Sequence, residues 1–312
     1  MDAIVDRIDG WQRRWRLTSF LWAVQKKYGD DRGGYLAALV TYYGFLSIFP
    51  LLLAAFTIFA YLFSGDRSAA DTLEKHISSY PIINQVAPGL KNGTLSGQPL
   101  ALIVGILGLI WGSQGLAQAA QFTMEEAYNV ANKNRPGFLP RTLRSFGWYG
   151  VFGIGALVAT FIASLGQALH WAGGPALSTL ISVLFDIGLF LLSFWILTPK
   201  GIGIAELLPG AIGAGTIWAI LTGVGVGLTK SLAHANPLYG SFASVLGLLA
   251  LIYLNARFTI YCIEASVVKA RNLWPRSLSN RNLTEADLRQ LDDLASKEER
   301  VQHEDVDVEI NA

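Results

Sequence analysis

One carboxylate stands out by its surroundings. Asp186 is the sole ionisable residue in the apolar run Leu177–Leu197. At 1.5 Å per residue it lies ~14 Å into a helix built from that run, close to a bilayer midplane. A charge there is costly and by default marks a pathway for protons, ions or substrate. Two polar stripes accompany it. Tyr253, Arg257, Tyr261 and Glu264 recur at spacings of four, four and three, and Gln114, Gln118 and Gln121 at four and three, so each set shares one helix face. Lipid offers no partner to amides or charges, so both stripes are expected to face inward. They would serve there as interhelical hydrogen-bonding contacts or as walls of a hydrophilic groove open to the cytosol. Arg257 falls ~29 Å beyond Leu238, near the headgroups, about 15 Å from the depth of Asp186, which argues against an ion pair between them. It either snorkels or clamps a lipid phosphate bidentately.

Other chemistry is poorly supported. Glu125 and Glu126 are adjacent and point in different helical directions, and His76, His170, His234 and His303 are scattered. No metal-ligand spacing, Ser/His/Asp arrangement or phosphate loop stands out, so neither metal nor cofactor is expected, and a nuclease activity is disfavoured. Cys262 is the one cysteine, which excludes a disulfide framework and a CxxC pair.

The elements that must position these residues are membrane helices. The 312 residues are 52% hydrophobic and 15% charged, against about a quarter charged in ordinary globular domains. That composition excludes a water-soluble enzyme and a nucleic-acid-binding domain. Six windows reach the ~20 apolar residues that a bilayer core requires: Leu36–Phe63, Pro99–Phe122, Ser145–Leu169, Leu177–Leu197, Leu207–Leu228 and Leu238–Val268. Between them, 19 Lys and Arg fall on one side and four on the other. This charge bias places both termini in the cytoplasm, as six spans require. Pro50 in the first span and Pro209-Gly210 at the start of the fifth are candidate helix breaks, of the kind that mark transporter sites or simply bend a helix. Gly108-x-x-x-Gly112 and Gly223-x-x-x-Gly227 are candidate close-packing motifs.

Residues 1–33 place Ile4, Ile8, Trp11, Trp15 and Trp22 on one helical face with arginines around it. This is expected to be an amphipathic helix in the headgroup layer or one packed on the bundle's cytosolic end. Residues 34–270 form the transmembrane domain, with an outer loop at 64–98 long enough to cap it. Residues 271–312 form a flexible cytosolic tail. Thr284 and Asp287 there resemble a capping box, Leu288, Leu291 and Leu294 offer a weak apolar strip, and the acidic end from Glu298 is expected to be disordered.

Several stretches together resemble one family. Ala37-Ala38-Leu39-Val40-Thr41-Tyr42-Tyr43-Gly44-Phe45-Leu46-Ser47-Ile48-Phe49-Pro50 is similar to its Ala-Leu-x-Tyr-Tyr…Phe-Ser-x-Phe-Pro signature. Pro199, Leu208-Pro209-Gly210-Ala211 and Tyr239-Gly240-Ser241 follow in the expected places. The pattern, over about residues 30–270, resembles the YihY/BrkB family of bacterial inner-membrane proteins, including its YhjD-like branch. The resemblance implies six spans with both ends inside. It also implies a link to envelope integrity and lipid export, and an old ribonuclease BN label generally regarded as a misassignment. One departure is Cys262-Ile263-Glu264, where the family often has Gly-Ala-Glu, so the small residues that would allow close helix approach beside Glu264 are missing.

The expected fold is all-α and polytopic. The expected function is transport or flipping of a lipid or amphiphilic envelope component across the bacterial inner membrane. Asp186 would be its proton or cation relay and Arg257 its headgroup contact. A non-catalytic scaffold recruiting envelope proteins is the alternative, and a membrane enzyme acting on lipid intermediates the third. Membrane lipids are the expected partners, with a second copy or an envelope protein as further candidates and no nucleic acid.

Overall fold

The computed structural model describes the backbone of residues 9–62, 114–168, 174–199, 201–232, 237–279, 282–306 and 308. It describes their side chains except at 49–62, 156–157, 159–168, 174–176 and 223–244. The described residues are helical, without a strand. Two helical turns at 9–14 lead into α1 (Arg16–Asp30) and α2 (Gly33–Leu62). Next come α3 (described over 114–127), a 3-10 turn at Asn132–Asn134, and α4 (Phe138–Ala168). The order ends with α5 (Gly174–Leu197), α6 (Ile204–Leu232), α7 (Pro237–Ala270) and α8 (Glu285–Lys297). Leu177–Leu197, Ile204–Thr222 and Val245–Ala270 are long and apolar enough to cross a membrane, and Gly33–Ile48 is a shorter apolar helix. The outer loop 64–98 and the Gly108 and Gly223 motifs lie outside the described residues or side chains.

Two compact units make up the chain. One combines Met1–Ala37, Gln118–Ala219 and Ala256–Ala312, and the other combines Ala38–Ala117 and Ile220–Asn255. In the second, Gly44 lies against Ile252 and Leu116, and Gly115 leaves room for the ring of Tyr43, which a Cβ would strike.

In the first unit, glycines decide how closely the apolar helices approach, because helix contacts in lipid rest on packing rather than on exclusion of water. A Cβ on Gly155 of α4 would lie 2.7 Å from Leu189 of α5, and one on Gly215 of α6 would lie 2.6 Å from the backbone nitrogen of Ile187 of α5. A Cβ on Gly210 would meet the Cys262 carbonyl oxygen of α7 at 2.8 Å, and one on Gly213 would meet the Cys262 Sγ, also at 2.8 Å. The close approach beside Glu264 is therefore kept, contrary to the expectation from Cys262-Ile263-Glu264. The glycines are simply supplied by the facing helix.

Neither proline breaks its helix: α2 runs through Pro50 and α6 through Pro209. Proline withholds an N–H and crowds the preceding turn, but here it sits near the start of α6. The next amide, Gly210 N–H, donates to Ser266 Oγ at 2.5 Å instead. The Pro209-Gly210 pair is a helix crossing point.

The C-terminal region also departs from expectation. Thr284 and Asp287 form the capping box at the start of α8. However, α8 buries Ala286, Asp287, Gln290 and Lys297 while Leu288 and Leu291 are exposed, so its polar side faces in. The acidic stretch after it folds back over Glu298–Val306 instead of staying loose. Lys133 N–H donates to the Glu299 carbonyl (2.8 Å), Lys133 Nζ pairs with Glu299 Oε2 (2.7 Å), and Glu304 caps the amides of Arg300 and Val301. Local acceptors for backbone donors and a half-buried lysine partner outweigh the self-repulsion that composition implies.

Gly210→Ala and Gly215→Ala would each push a methyl into backbone, which overpacking measurements put at about 1–3 kcal/mol. Gly150, with nothing within 4 Å of its added Cβ, is the control. The expected outcome is a lower thermal midpoint in detergent for the first two variants and none of that loss for Gly150→Ala.

Candidate functional site

The described polar residues converge where α1, α3, α7 and α8 meet. Lys27 lies in the last turn of α1, and its (i, i+4) neighbour Asp31 caps that helix. Glu264 sits on α7 one and a half turns before its end. All three side chains have no solvent exposure. The Lys27 ammonium donates to Asp31 Oδ2 and to the Ala127 carbonyl (2.8 Å), and Glu264 Oε2 lies 3.2 Å from it. Burial alone would discharge Lys27, but the Glu264 and Asp31 carboxylates outweigh it and hold the ammonium above its ordinary range. Lys27 therefore stays charged.

The cluster continues by alternation. Lys297 Nζ lies 3.5 Å from Asp31 Oδ1 and 3.0 Å from Glu126 Oε2, and Arg135 Nη2 binds Glu126 Oε1 at 2.7 Å. Three basic and three acidic side chains thus alternate in the order Arg135, Glu126, Lys297, Asp31, Lys27, Glu264. Burial works against ionisation of Glu126, but Arg135 and Lys297 more than compensate and hold its carboxyl below the usual range. Mutual pairing is what makes buried charges tolerable. The stacking of Tyr28 on Tyr261 (3.9 Å between centroids) closes one flank. Gly33 is required there because a Cβ would enter the Tyr28 ring.

A second hub joins the two ends of the chain. Asp287, almost fully buried, accepts from Lys26 Nζ (2.9 Å), Arg276 Nε (2.8 Å), Ser277 N–H (2.9 Å), Thr284 N–H (3.0 Å) and Thr284 Oγ1 (2.9 Å). Burial works against its ionisation, but the Lys26 ammonium and the two amides dominate and drive its carboxyl far below the usual range. Around it, Gln12 donates to the Arg276 carbonyl, Trp22 Nε1 to the Ser277 carbonyl, and Arg276 Nη1 to Asp30. Trp22, expected to share the apolar face of the N-terminal helix with Trp11 and Trp15, is turned toward this hub.

The other expected site residues are placed as follows. Gln121 is buried, and its Nε2 donates to the Arg141 carbonyl and to Ser145 Oγ, both at 3.0 Å, tying α3 to α4. Gln118 and Gln114 are half-buried, and the Gln114 carbonyl oxygen is a buried acceptor with no donor among the described residues. Glu264 faces inward as expected. Tyr261 is half-buried, and its hydroxyl donates to Gln25 Oε1 at 2.8 Å. Tyr253 is half-buried, while Arg257 is exposed with its guanidinium 5.9 Å over the Tyr261 ring. The sixth-span stripe is therefore not uniformly inward, because its arginine turns outward. Asp186 is half-buried on α5, one residue from the Gly215–Ile187 crossing. Glu125 is committed to Arg141 at 2.6 Å, so the adjacent glutamates serve as ion-pair partners. Among the described residues no group of three or more His, Cys, Asp or Glu is placed to hold a metal ion.

The model for the family described as virulence factor BrkB matches residues 24–284. The chain belongs to the BrkB family. Among similar proteins, the ribonuclease-like protein YfkH of Bacillus subtilis is 23% identical over 260 residues, covering 76% of this chain and 90% of that protein. The inner membrane protein YhjD of Escherichia coli is 25% identical over 268 residues, covering 76% and 77%. No solved structure matches. The BrkB match contains Lys27, Asp31, Glu126, Asp186, Arg257 and Glu264 but stops at Thr284. Asp287 and Lys297, which complete both hubs from α8, lie beyond it.

Sequence reasoning missed Lys27, Asp31, Lys297, Arg276 and the burial of Asp287. The i, i+4 spacing of Lys27 and Asp31 was the available signal for one pair, but nothing in the sequence marks that pair as buried. Lys27→Met would leave two carboxylates in a dry site, and breaking buried pairs this way costs about 3–5 kcal/mol. The expected outcome is a strongly lowered denaturation midpoint, partly restored by adding Glu264→Gln. Asp287 is depressed in the folded state, so its contribution is present above the unfolded carboxyl value of about 4 and drains away as pH falls below it. Asp287→Asn should lose about 2 kcal/mol at neutral pH and flatten the acid limb of a stability-versus-pH curve.

Proposed function

We propose that this BrkB-family membrane protein moves a lipid or amphiphilic envelope component across the bacterial inner membrane. In this reading six helices span the bilayer, both termini are cytoplasmic, and no catalysis is involved. The observation that carries it is Asp186, a half-buried carboxylate in the apolar helix window Leu177–Leu197 whose mean hydropathy is 2.4. Placing a carboxylate in hydrocarbon is costly, and intramembrane acids serve as proton or ion relays often enough to make that the working assignment. It sits beside the glycine crossing of α5 and α6, where two helices meet with little side-chain bulk between them. The excess of Lys and Arg in the segments flanking the spans supports the orientation. The inner-membrane location follows the printed description of the E. coli relative.

Arg257 is exposed on α7 with its guanidinium over the Tyr261 ring, a position that supports a headgroup role. The test is labelled-lipid flipping in vesicles containing the purified protein, with Asp186→Asn and Arg257→Gln beside it. The expected outcome is flipping above protein-free vesicles, reduced to that background by Asp186→Asn and weakened by Arg257→Gln. No flipping across lipid classes and imposed gradients would favour the scaffold.

A further inference from the structure

The N-terminal segment exposes a pattern that its own folding creates. Residues 9–32 contain three acids, and all are withdrawn. Asp9 is buried and bound to Arg13, Asp31 is buried between Lys27 and Lys297, and Asp30 is paired with Arg276. Lys26 and Lys27 are withdrawn with them. The exposed charges left on the segment are Arg14, Arg16 and Arg32, every one a cation. Beside them the segment exposes Trp11 (57%), Trp15 (62%), Leu17 (70%) and Leu21 (58%), with Gln25 as the one uncharged polar side chain among them.

These residues form a continuous strip. Leu17, Leu21, Gln25 and Gly29 are exposed at spacings of four along one face of α1, with exposed Arg14 in the helical turns before the extended Trp15 and exposed Arg32 just past the Asp31 cap. Trp11 and Trp15, with ring centroids 6.5 Å apart, extend it at the N-terminal end. At the other end the strip runs into Tyr35, 79% exposed in the first turn of the apolar helix α2. Only Asp31 and Arg32 separate α1 from α2, and Arg32 adopts the left-handed backbone (φ 54°) that turns the chain there. The strip therefore begins at the end of an apolar membrane helix. Helix α8 and the stretch after it carry the opposite charge balance, with Glu285, Asp292, Glu298 and Asp305 exposed against Arg289 and Arg300.

We infer that the strip Trp11–Arg32 is a docking surface for anionic phospholipid, with Trp11, Trp15, Leu17 and Leu21 set into the headgroup layer and Arg14, Arg16 and Arg32 holding lipid phosphates. Aromatic and leucine side chains gain by leaving water at that depth, and each arginine near an anionic surface adds its own attraction. Folding sharpens this selectivity, because burying the acids removes the repulsion that the bare sequence would carry. The surface differs from the one expected from sequence, since Trp22 is engaged inward and Leu17 and Leu21 take its place. It stands apart from the transport reading and needs no substrate to cross.

The test uses the full-length chain with Cys262→Ala, spin-labelled at Leu17→Cys or Leu21→Cys. The protein is reconstituted in phosphatidylcholine nanodiscs with and without phosphatidylglycerol. Expected is stronger relaxation of the label by oxygen than by a water-soluble nickel complex, with the reverse for a label on Arg289→Cys of α8. The lipid-side signal at position 17 should grow with phosphatidylglycerol and fall back when Arg14 and Arg16 are both changed to Gln. Preferential relaxation by the nickel complex in both membranes would overturn the inference. So would dipolar coupling between labels of two copies at position 17, which would make the strip a protein contact. An equal signal with and without phosphatidylglycerol would overturn it as well. Quenching of wild-type tryptophan fluorescence by brominated lipid, reduced in Trp11→Phe and Trp15→Phe, gives the same readout with Cys262 intact.

Discussion

A lysine ammonium without solvent exposure, held between two carboxylates, is the constraint around which the first unit is organised. Lys27 reaches Asp31 on its own segment, Glu264 on α7 and the Ala127 carbonyl at the end of α3. No element can leave without stranding a charge, and a stranded buried charge is among the most expensive defects a protein can carry. The N-terminal helix is thereby tied to the end of an apolar helix by electrostatics rather than by oily surface. This suits a place where lipid removes the usual hydrophobic incentive for helices to associate.

The C-terminal helix extends the same logic. Lys297 completes the alternation by standing between Asp31 and Glu126, and Asp287 gathers donors from α1, from the Arg276–Ser277 turn and from its own cap. Cap and hub are one carboxylate. That economy explains why α8 buries its polar side and leaves Leu288 and Leu291 outside: the energy available at this end of the molecule is ionic. Deeper in the helices the currency changes to steric fit, with Gly210 and Gly215 on α6 admitting α7 and α5 to backbone contact and Gly213 leaving room for the Cys262 side chain.

Much of the helical framework was legible in the sequence because hydropathy acts locally. A run such as Leu177–Leu197 satisfies its backbone within itself, and the structure's α5 covers it with three residues to spare at one end. The Thr284–Asp287 cap was legible for the same reason, being a contact across three residues. The inward turn of Glu264 and Gln121 followed from periodicity. The outward turn of Arg257 did not, since a long cationic side chain can leave the face its Cα assigns it.

From the sequence alone come the all-helical class, most helix boundaries, the charge asymmetry and the family resemblance, all of which depend on spacing within a single segment. The tertiary structure alone decides that Lys27 is buried while Arg14 and Arg16 are not, that Pro209-Gly210 is a crossing rather than a break, and that the acidic C-terminal stretch folds back over Glu298–Val306. Each of those outcomes depends on partners between about 50 and 270 positions away along the chain. A charge is stabilised or stranded by whatever lies within a few ångströms of it, and sequence spacing does not encode that distance.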